Sequence, residues 1–211
     1  RGMKELSLNI LDITENSVKA GATLTEIALL ETEDTLTLTV TDDGCGMLRD
    51  DIPKALLRHA TSKIECGDDI NGIRSLGFRG EALAAISSVS RMEIITKHRS
   101  EPIGTRLVSD ENGIVMEDHG APDGTTVSMR DIFYNTPARQ KFLKKDGTEA
   151  ASCIAAAERL ALSHPEIAFT VICDGERRFT TSGDGELYPA IYSVFGRDFA
   201  KKLIKKLYLH L

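Results

Sequence analysis

The sequence predicts a two-layer α/β sandwich of the α+β kind, in which helices cover one face of a mixed, mostly antiparallel sheet. Three observations lead to this fold class. Polar and apolar residues alternate with the period of two that strands require, most clearly over 35–41, Thr-Leu-Thr-Leu-Thr-Val-Thr. Helical periodicity recurs near both ends of the chain and in its middle. Helices and strands do not alternate strictly, which argues against a doubly wound parallel sheet.

The first predicted element is an amphipathic helix over residues 4–20. Leu8, Leu11 and Val18 form one apolar stripe, as expected for a helix that packs against a sheet. Gly21 follows directly and can adopt the left-handed backbone conformation that ends many helices. We therefore expect the helix to end at this glycine.

A hairpin is predicted next, with strands over 24–31 and 34–41 and a turn at Glu33 and Asp34. The stretch 59–77 is polar and has no clear period, which is typical of a lid or an irregular loop. The other predicted elements are helices over 51–58, 80–88, 146–162, 185–195 and 198–206, a short helix from Pro137 to about Leu143, and strands near 91–97, 104–109, 113–117, 124–130, 167–173 and 176–181.

Composition limits the classes of function. The 211 residues suffice for one domain, or for one domain with part of another, and no apolar run is long enough to span a membrane. The formal net charge of −6 argues mildly against a strong nucleic-acid binder. None of the 4 cysteines forms a closely spaced pair, so the sequence predicts no zinc site and a reduced, cytoplasmic setting.

The polar face of the first helix has two interpretations. Asp12, Glu15, Asn16 and Lys19 recur at helical spacing, and a solvated surface accounts for most faces of this kind. The alternative is a metal–phosphate site. An Asn side-chain oxygen can bind Mg²⁺ together with phosphate oxygens, and a carboxylate one turn earlier can orient an attacking water.

Two Asp-Gly segments lie next to predicted strands. Asp42-Asp43-Gly44-Cys45-Gly46 follows a strand directly, and Asp123-Gly124-Thr125 opens another. Each is an ordinary turn signal by itself. The first also suits base recognition, because a carboxylate accepts a hydrogen bond from the adenine amine and glycines let the backbone approach the ring.

Two further segments carry groups that bind phosphate. The run Ser-Leu-Gly-Phe-Arg-Gly-Glu-Ala-Leu at 75–83 is a glycine-bracketed loop that leads into a helix N-terminus, where backbone amides favour an anion. A helix cap preceded by a flexible loop is the simpler interpretation. The segment 58–63 places hydroxyls and cations at the start of the predicted lid, where they would meet phosphates on closure.

With these pieces in this order, the chain resembles the GHKL ATPases, a group that includes gyrase B, histidine kinases and the MutL mismatch-repair proteins. From about 51 to 204 the resemblance is specifically to MutL. It depends on Arg-His-Ala-Thr-Ser-Lys-Ile at 58–64, Gly-Phe-Arg-Gly-Glu-Ala-Leu at 77–83 and Asp-Ile-Phe-Tyr-Asn-Thr-Pro-Ala-Arg-Gln-Lys-Phe-Leu at 131–143. Residues 3–47 are more similar to small sensor-type or anti-sigma-type members, which predicts a hybrid joined near 47–51.

The resemblance implies a Bergerat-type fold that binds ATP and Mg²⁺ between its helices and a lid over about 59–80. Asn16 would hold the metal ion. Asp42 would accept the adenine amine, with Gly46 and Thr125 beside the base. The residues that would contact the phosphates from the lid and the glycine loop are Thr61, Ser62, Lys63, Gly77, Phe78, Arg79 and Gly80.

The catalytic position departs from the family pattern. Asp12 stands where MutL proteins carry their catalytic Glu, and Glu15 occupies a position that is already Glu in that family. Both are candidate catalytic residues. Because an Asp side chain is one methylene shorter, its carboxylate falls back by about an ångström, and such a displacement can cost on the order of 100-fold in rate. We therefore expect ATP binding with slow turnover.

The resemblance also predicts the wider organisation. Residues 1–196 would form the ATP-binding domain, and 197–211 would form a connecting helix toward a second domain, which supplies a lysine to the γ-phosphate in the family. We expect a nucleotide-driven switch in mismatch repair that works with other repair proteins. The full-length protein would dimerise, whereas this acidic chain would be monomeric and bind DNA weakly. The alternatives are a non-catalytic nucleotide switch and a sensor- or anti-sigma-type ATP-binding protein.

Overall fold

The computed structural model describes residues 5–32, 35–57, 82–141 and 146–208. Within them, one sheet of eight strands forms the framework. The strands are β1 (Leu24–Glu31), β2 (Leu36–Asp42), β3 (Arg91–Lys97), β4 (Gly104–Asp110), β5 (Gly113–His119), β6 (Gly124–Arg130), β7 (Ala168–Cys173) and β8 (Glu176–Thr180). Their order across the sheet is β5-β4-β3-β6-β2-β1-β7-β8.

The helices complete the chain between and after these strands. They are α1 (Glu5–Lys19), α2 (Ile52–Ala55, preceded by a 3₁₀ turn at Arg49–Asp51), α3 (Ala82–Ser87), α4 (Pro137–Gln140), α5 (Asp146–Ser163) and α6 (Leu187–Tyr208). α6 is broken at Gly196, whose φ of 80° is not helical. This break separates the two helices predicted over 185–195 and 198–206.

The predicted fold class is confirmed. β1 and β7 are parallel, and every other neighbouring pair of strands is antiparallel. α1 and α5 pack against each other and against β1, β2 and β7. Strand residues that point toward the helices are buried in alternation, as Leu38 and Val40 are on β2, so the core lies between the two layers.

α1 ends just before Gly21, as predicted, but its buried face differs from the predicted apolar stripe. Gly21 has a φ of 72°, its amide donates to Val18 O, and the next amide donates to Ser17 O. Leu8 is 54% exposed, so the predicted stripe is wrong at this position. The core-facing side holds Leu6, Ile10 and Ile13 together with the hydroxyl residues Ser7, Thr14 and Ser17. These polar members shift the buried face away from the one that the apolar residues alone indicate.

Candidate functional site

A row of polar residues crosses the sheet at the end where β2 stops. Asp42 on β2 lies opposite Thr25 on β1 and Thr125 on β6, Thr125 lies opposite Thr96 on β3, and Thr96 opposite Thr105 on β4. Directly paired residues share one face of a sheet. We call these five residues the polar row. Thr25, Thr96 and Thr105 are buried, so the row faces the helical layer at the edge of the core.

Asp42 is the acidic member of the polar row and is held by α1 and by its own loop. The Ser17 hydroxyl donates to Asp42 Oδ2 at 2.6 Å, and the Gly44 amide donates to Oδ1 at 2.9 Å. Burial raises the pKa of Asp42 above its ordinary value of 3.8, against the lowering by hydrogen bonds from Ser17, Gly44 and Thr125. The carboxylate is therefore fixed in direction and partly withdrawn from water.

Thr96 connects the polar row to the loop that follows β2. Thr96 is 1% exposed. The Met47 amide donates to Thr96 Oγ1 at 3.0 Å, and Thr96 Oγ1 donates to Gly124 O at 3.0 Å. Thr125 Oγ1 lies 2.9 Å from the same oxygen. One hydroxyl therefore contacts three residues, which belong to the loop after β2 and to the start of β6.

Gly46 and Gly124 must be glycine because other backbone segments approach them closely. A Cβ at Gly46, where φ is 71°, would lie 2.0 Å from Lys97 O. A Cβ at Gly124, where φ is 118°, would lie 2.1 Å from Asp42 O. Real Cβ atoms do not approach backbone so closely, so both positions need glycine on grounds of space and of conformation. The loop after β2 thus lies directly against the end of β3.

Backbone and side-chain bonds hold the rest of this loop. The Cys45 amide donates to Ala20 O at 2.9 Å, and the Arg99 amide donates to Cys45 O at 3.2 Å. Asp43 accepts from the Thr23 amide at 2.7 Å and from the Leu24 amide at 2.8 Å. The loop is therefore fastened both to the C-terminal end of α1 and to the chain beyond β3.

The candidates on α1 lie on more exposed sides of the helix. Asp12 and Asn16, one turn apart, are both exposed. Ser17, the next residue, reaches Asp42, so Asn16 is one position from the point where α1 meets the polar row. Glu15 is half-buried on the side toward α5, with Oε1 at 3.8 Å from Nε2 of His164.

Asp42, Gly46 and Thr125, which the resemblance assigns to the base, lie at the same end of the sheet, and α1 lies beside Asp42. Their roles toward a nucleotide stay predictions. The lid and glycine-loop candidates Thr61, Ser62, Lys63, Gly77, Phe78, Arg79 and Gly80 lie outside the described residues. In the described part of the chain, no group of three or more His, Cys, Asp or Glu side chains could hold a metal ion. No helix there has the length and apolar character needed to cross a membrane.

Two residues of this site were missed by the sequence analysis. Ser17 directly follows the candidate Asn16 but received no role, and Thr96 was treated as an ordinary strand residue. A signal for Thr96 does exist in the alternation of β3. Met92 and Ile94 are buried on its inward side, and Thr96 continues that side with a hydroxyl in place of an apolar group. A buried hydroxyl needs partners, which here are the site loops.

Comparisons with known proteins agree on the family. The profile of the histidine kinase-, DNA gyrase B- and HSP90-like ATPases matches residues 5–121. The DNA mismatch repair protein MutL of Agathobacter rectalis is 43% identical over 197 residues, which cover 93% of this chain and 30% of that protein. MutL of Pelotomaculum thermopropionicum is 42% identical over 196 residues, which cover 92% of this chain and 32% of that protein. This chain thus spans about a third of the length of these relatives.

A solved relative extends the likeness to the fold. The Aquifex aeolicus MutL ATPase domain complexed with ADP matches with a TM-score of 0.70 and 28% identity, over 87% of this chain and 65% of that one. A structure described as the N-terminal domain of a DNA repair protein matches with a TM-score of 0.73 and 25% identity, over 89% of this chain and 56% of that one.

These matches also bear on the predicted junction near 47–51. The family match over 5–121 runs through it without interruption. Residues 3–47 make up about a fifth of the chain, whereas the Agathobacter MutL alignment covers 93% of it. Most of 3–47 is therefore aligned with MutL as well. A chain joined from two members of this family would be matched in the same way, so the hybrid stays a prediction. The chain belongs to the histidine kinase-, DNA gyrase B- and HSP90-like ATPase family, in which the MutL mismatch-repair proteins resemble it over nearly its whole length.

Proposed function

We propose that this chain is the Mg²⁺-dependent ATP-binding module of a MutL-like mismatch-repair protein, with slow hydrolysis, and that it acts as a nucleotide-driven conformational switch. The observation that carries the proposal is the arrangement around Asp42. The carboxylate is held by Ser17 and Gly44, and Thr125 lies beside it in the polar row. An acceptor fixed in this way suits the exocyclic amine of adenine.

Base binding would follow from groups that are already in place. The Ser17 and Gly44 bonds orient Asp42 before any ligand arrives, so little conformational freedom is lost on binding. Gly46 lets the loop backbone approach the base closely. The ADP complex of the Aquifex MutL domain supports the choice of an adenine nucleotide as the ligand.

Phosphate and metal binding would depend on α1 and on residues 59–80. The exposed side-chain oxygen of Asn16 suits one ligand position of Mg²⁺. The described residues contain no cluster of carboxylates for the ion, so it would be held mainly by the nucleotide phosphates. Bound there, Mg²⁺ would neutralise phosphate charge. Thr61, Ser62, Lys63 and Gly77 to Gly80 would contact the phosphates from the lid and the glycine loop.

Slow turnover is proposed because Asp12 is shorter than the Glu that the family carries at this position. Glu15 is a weaker candidate for activating water, because its carboxylate lies toward His164. In the second candidate function, the chain is a nucleotide switch without significant hydrolysis, and the same Asp12 favours it. Steady-state phosphate release from the wild-type protein and from Asp12→Glu separates the two. An increase of about tenfold or more in the variant supports Asp12 as the catalytic position, whereas no gain contradicts that role.

The decisive binding experiment is calorimetric titration with a non-hydrolysable ATP analogue, with and without Mg²⁺. Wild-type protein should bind, and Asp42→Ala should lose binding by about 100-fold or more, since a charged hydrogen bond at the base is removed. Asp43→Ala is the matched control, because Asp43 bonds the backbone of residues 23 and 24. Its binding should stay within about threefold of wild type once folding is verified. Equal binding by wild type and Asp42→Ala would contradict the proposal.

The wider organisation remains part of this proposal. Residues 1–196 would form the nucleotide-binding domain and 197–211 a connecting helix toward a second domain. We expect this chain to be monomeric and to bind DNA weakly, because its formal net charge is −6. Sedimentation velocity with and without the ATP analogue tests the first expectation, and duplex DNA titration at two salt concentrations tests the second. Contacts with other mismatch-repair proteins would follow the nucleotide state.

A further inference from the structure

The hydrogen bonds at Thr96 Oγ1 determine the group to which the neighbouring Thr125 hydroxyl donates. A threonine hydroxyl has one proton to donate and two lone pairs that accept. Thr96 Oγ1 accepts from the Met47 amide, and its proton goes to Gly124 O, because a carbonyl oxygen can only accept. The remaining contact, with Thr125 Oγ1 at 2.9 Å, must then be donated by Thr125.

This assignment leaves Thr125 without a proton for any other group. Its oxygen keeps only lone pairs for other groups, and Asp42 is its paired neighbour across β6 and β2. Asp42 in the ionised state is also an acceptor, and its neighbours Ser17 and Gly44 already donate to it from the protein side. The two adjacent members of the polar row therefore offer acceptors to a ligand.

We infer that Thr96 is a positioning residue that sets the base preference of this site, by holding Thr125 as an acceptor so that the pocket favours a purine with an amine at position 6. The inference rests on the proposed adenine-nucleotide function and adds a residue that does not itself contact the base. A purine with an oxygen at position 6 would meet acceptors where it needs a donor, and unpaired polar groups are costly when buried.

Replacement of Thr96 by Val removes the hydroxyl that accepts from Thr125, and Val has nearly the same volume as Thr. Thr125 then becomes free to rotate and to donate, either to Asp42 or to an oxygen at position 6 of the base. The expected result is a loss of discrimination between bases. General weakening of the fold would affect all nucleotides alike, so the ratio of two affinities isolates the proposed role.

The test is calorimetry with ADP and inosine diphosphate on the wild type and on T96V, T96S and T125V. We expect T96V to lower the preference for ADP over inosine diphosphate by about five- to tenfold. T96S keeps the hydroxyl and should preserve the wild-type preference within about twofold. T125V removes the acceptor itself and should lower the preference about as much as T96V.

The double variant T96V/T125V tests whether Thr96 acts through Thr125. In the T125V background, the Thr96 substitution should change the preference no further. An unchanged preference in T96V or in T125V overturns the inference, as does a T96V effect that persists in full without the Thr125 hydroxyl. Should T96V fail to fold, T96A removes the same hydroxyl and takes its place in both comparisons. Failure of the wild-type protein to bind ADP would instead refute the proposed function.

Discussion

The strand-end half of the candidate site, comprising Asp42, Gly46, Thr96 and Thr125, is bound tightly into the fold, whereas the helix half, comprising Asp12 and Asn16, lies on the exposed side of α1. In the first half each side chain or backbone segment has a described neighbour within contact distance. In the second half both residues are exposed. The strand-end half is therefore fixed before a ligand binds. In the proposed function, the nucleotide and residues 59–80 would complete the other half.

This difference separates stability from function. A substitution in the strand-end half should change both the free energy of unfolding and nucleotide affinity, because the same bonds serve both. A substitution in the helix half should change function with little effect on stability, since surface positions contribute little to folding. Gly46→Ala, Asp42→Asn and Asn16→Ala test this distinction.

The largest effect is expected for Gly46→Ala. The added Cβ would lie 2.0 Å from Lys97 O at a residue with a φ of 71°, so the loop must move away from β3. We expect a loss of about 3–5 kcal/mol in the free energy of unfolding, measured by urea titration, and loss of nucleotide binding.

Gly21→Ala is a closely matched control. Gly21 has a φ of 72°, and nothing lies within 4 Å of the position that a Cβ would take, so the left-handed conformation alone is penalised there. This variant should lose about 1 kcal/mol. Equal losses at the two glycines would show that the close approach of the Gly46 loop to β3 does not constrain the fold.

The second effect concerns Asp42→Asn and depends on pH. The Asn amide can keep the contacts with Ser17 and Gly44, since its oxygen accepts from Gly44 and its nitrogen can donate to Ser17 Oγ. We expect nucleotide affinity to fall by about 100-fold, because a donor replaces one acceptor. Stability at pH 7 should nevertheless rise, by on the order of 1 kcal/mol, because burial of the charged carboxylate is no longer required.

The sign of the pH dependence follows from the raised pKa of Asp42. The folded protein holds this proton to higher pH than the unfolded chain, so wild-type stability falls as pH rises from 3.8 through the raised pKa. Urea titrations at a series of pH values should show the stability gap between the Asp42→Asn variant and wild type widening over that interval and then staying constant. A gap that narrows with rising pH would contradict the burial cost.

The third effect belongs to the helix half. Asn16→Ala should leave the free energy of unfolding unchanged or raise it by about 0.5 kcal/mol, since Ala is the better helix former at an exposed position. Affinity for the ATP analogue should fall by about tenfold in Mg²⁺. With excess chelator the two proteins should bind alike. A loss that is equally large without Mg²⁺ would exclude Asn16 as the metal-binding residue.

Much of the architecture was predictable from the sequence because its signals are local. The strand over 91–97 matches β3 (Arg91–Lys97), the break between the two C-terminal helices falls at Gly196, and Gly21 ends α1. Alternation and glycine positions carry these element boundaries without knowledge of the tertiary fold. The neighbourhood of Asp42 and Thr125 was implied by the family resemblance instead, and the two residues are paired across β2 and β6.

The missing part of the prediction depends on register and helix phase. Ser17 and Thr96 matter because of what lies opposite them, and a single sequence does not fix which residues pair across a sheet. Leu8 was assigned to the buried stripe of α1 for a related reason. The true inward face includes Ser7, Thr14 and Ser17, and a count of apolar residues does not find a face that is partly made of hydroxyls.

The smallest effect is expected for Thr25, the end of the polar row that lies on β1. Thr25 is 0% exposed, and its hydroxyl oxygen has no hydrogen-bond partner among the described residues. Thr25→Val should therefore keep the free energy of unfolding or raise it by up to about 1 kcal/mol, because no buried partner is left unpaired. Thr96→Val should lower it by about 1–3 kcal/mol, because Met47 and Gly124 each lose a bond. Urea titration of the two variants compares one substitution at two positions of the same row. If Thr25→Val lost as much free energy of unfolding as Thr96→Val, the hydroxyl at the edge of the row would stabilise the fold as much as the hydroxyl at its centre. The hydrogen bonds of Thr96 would then give it no special effect on stability.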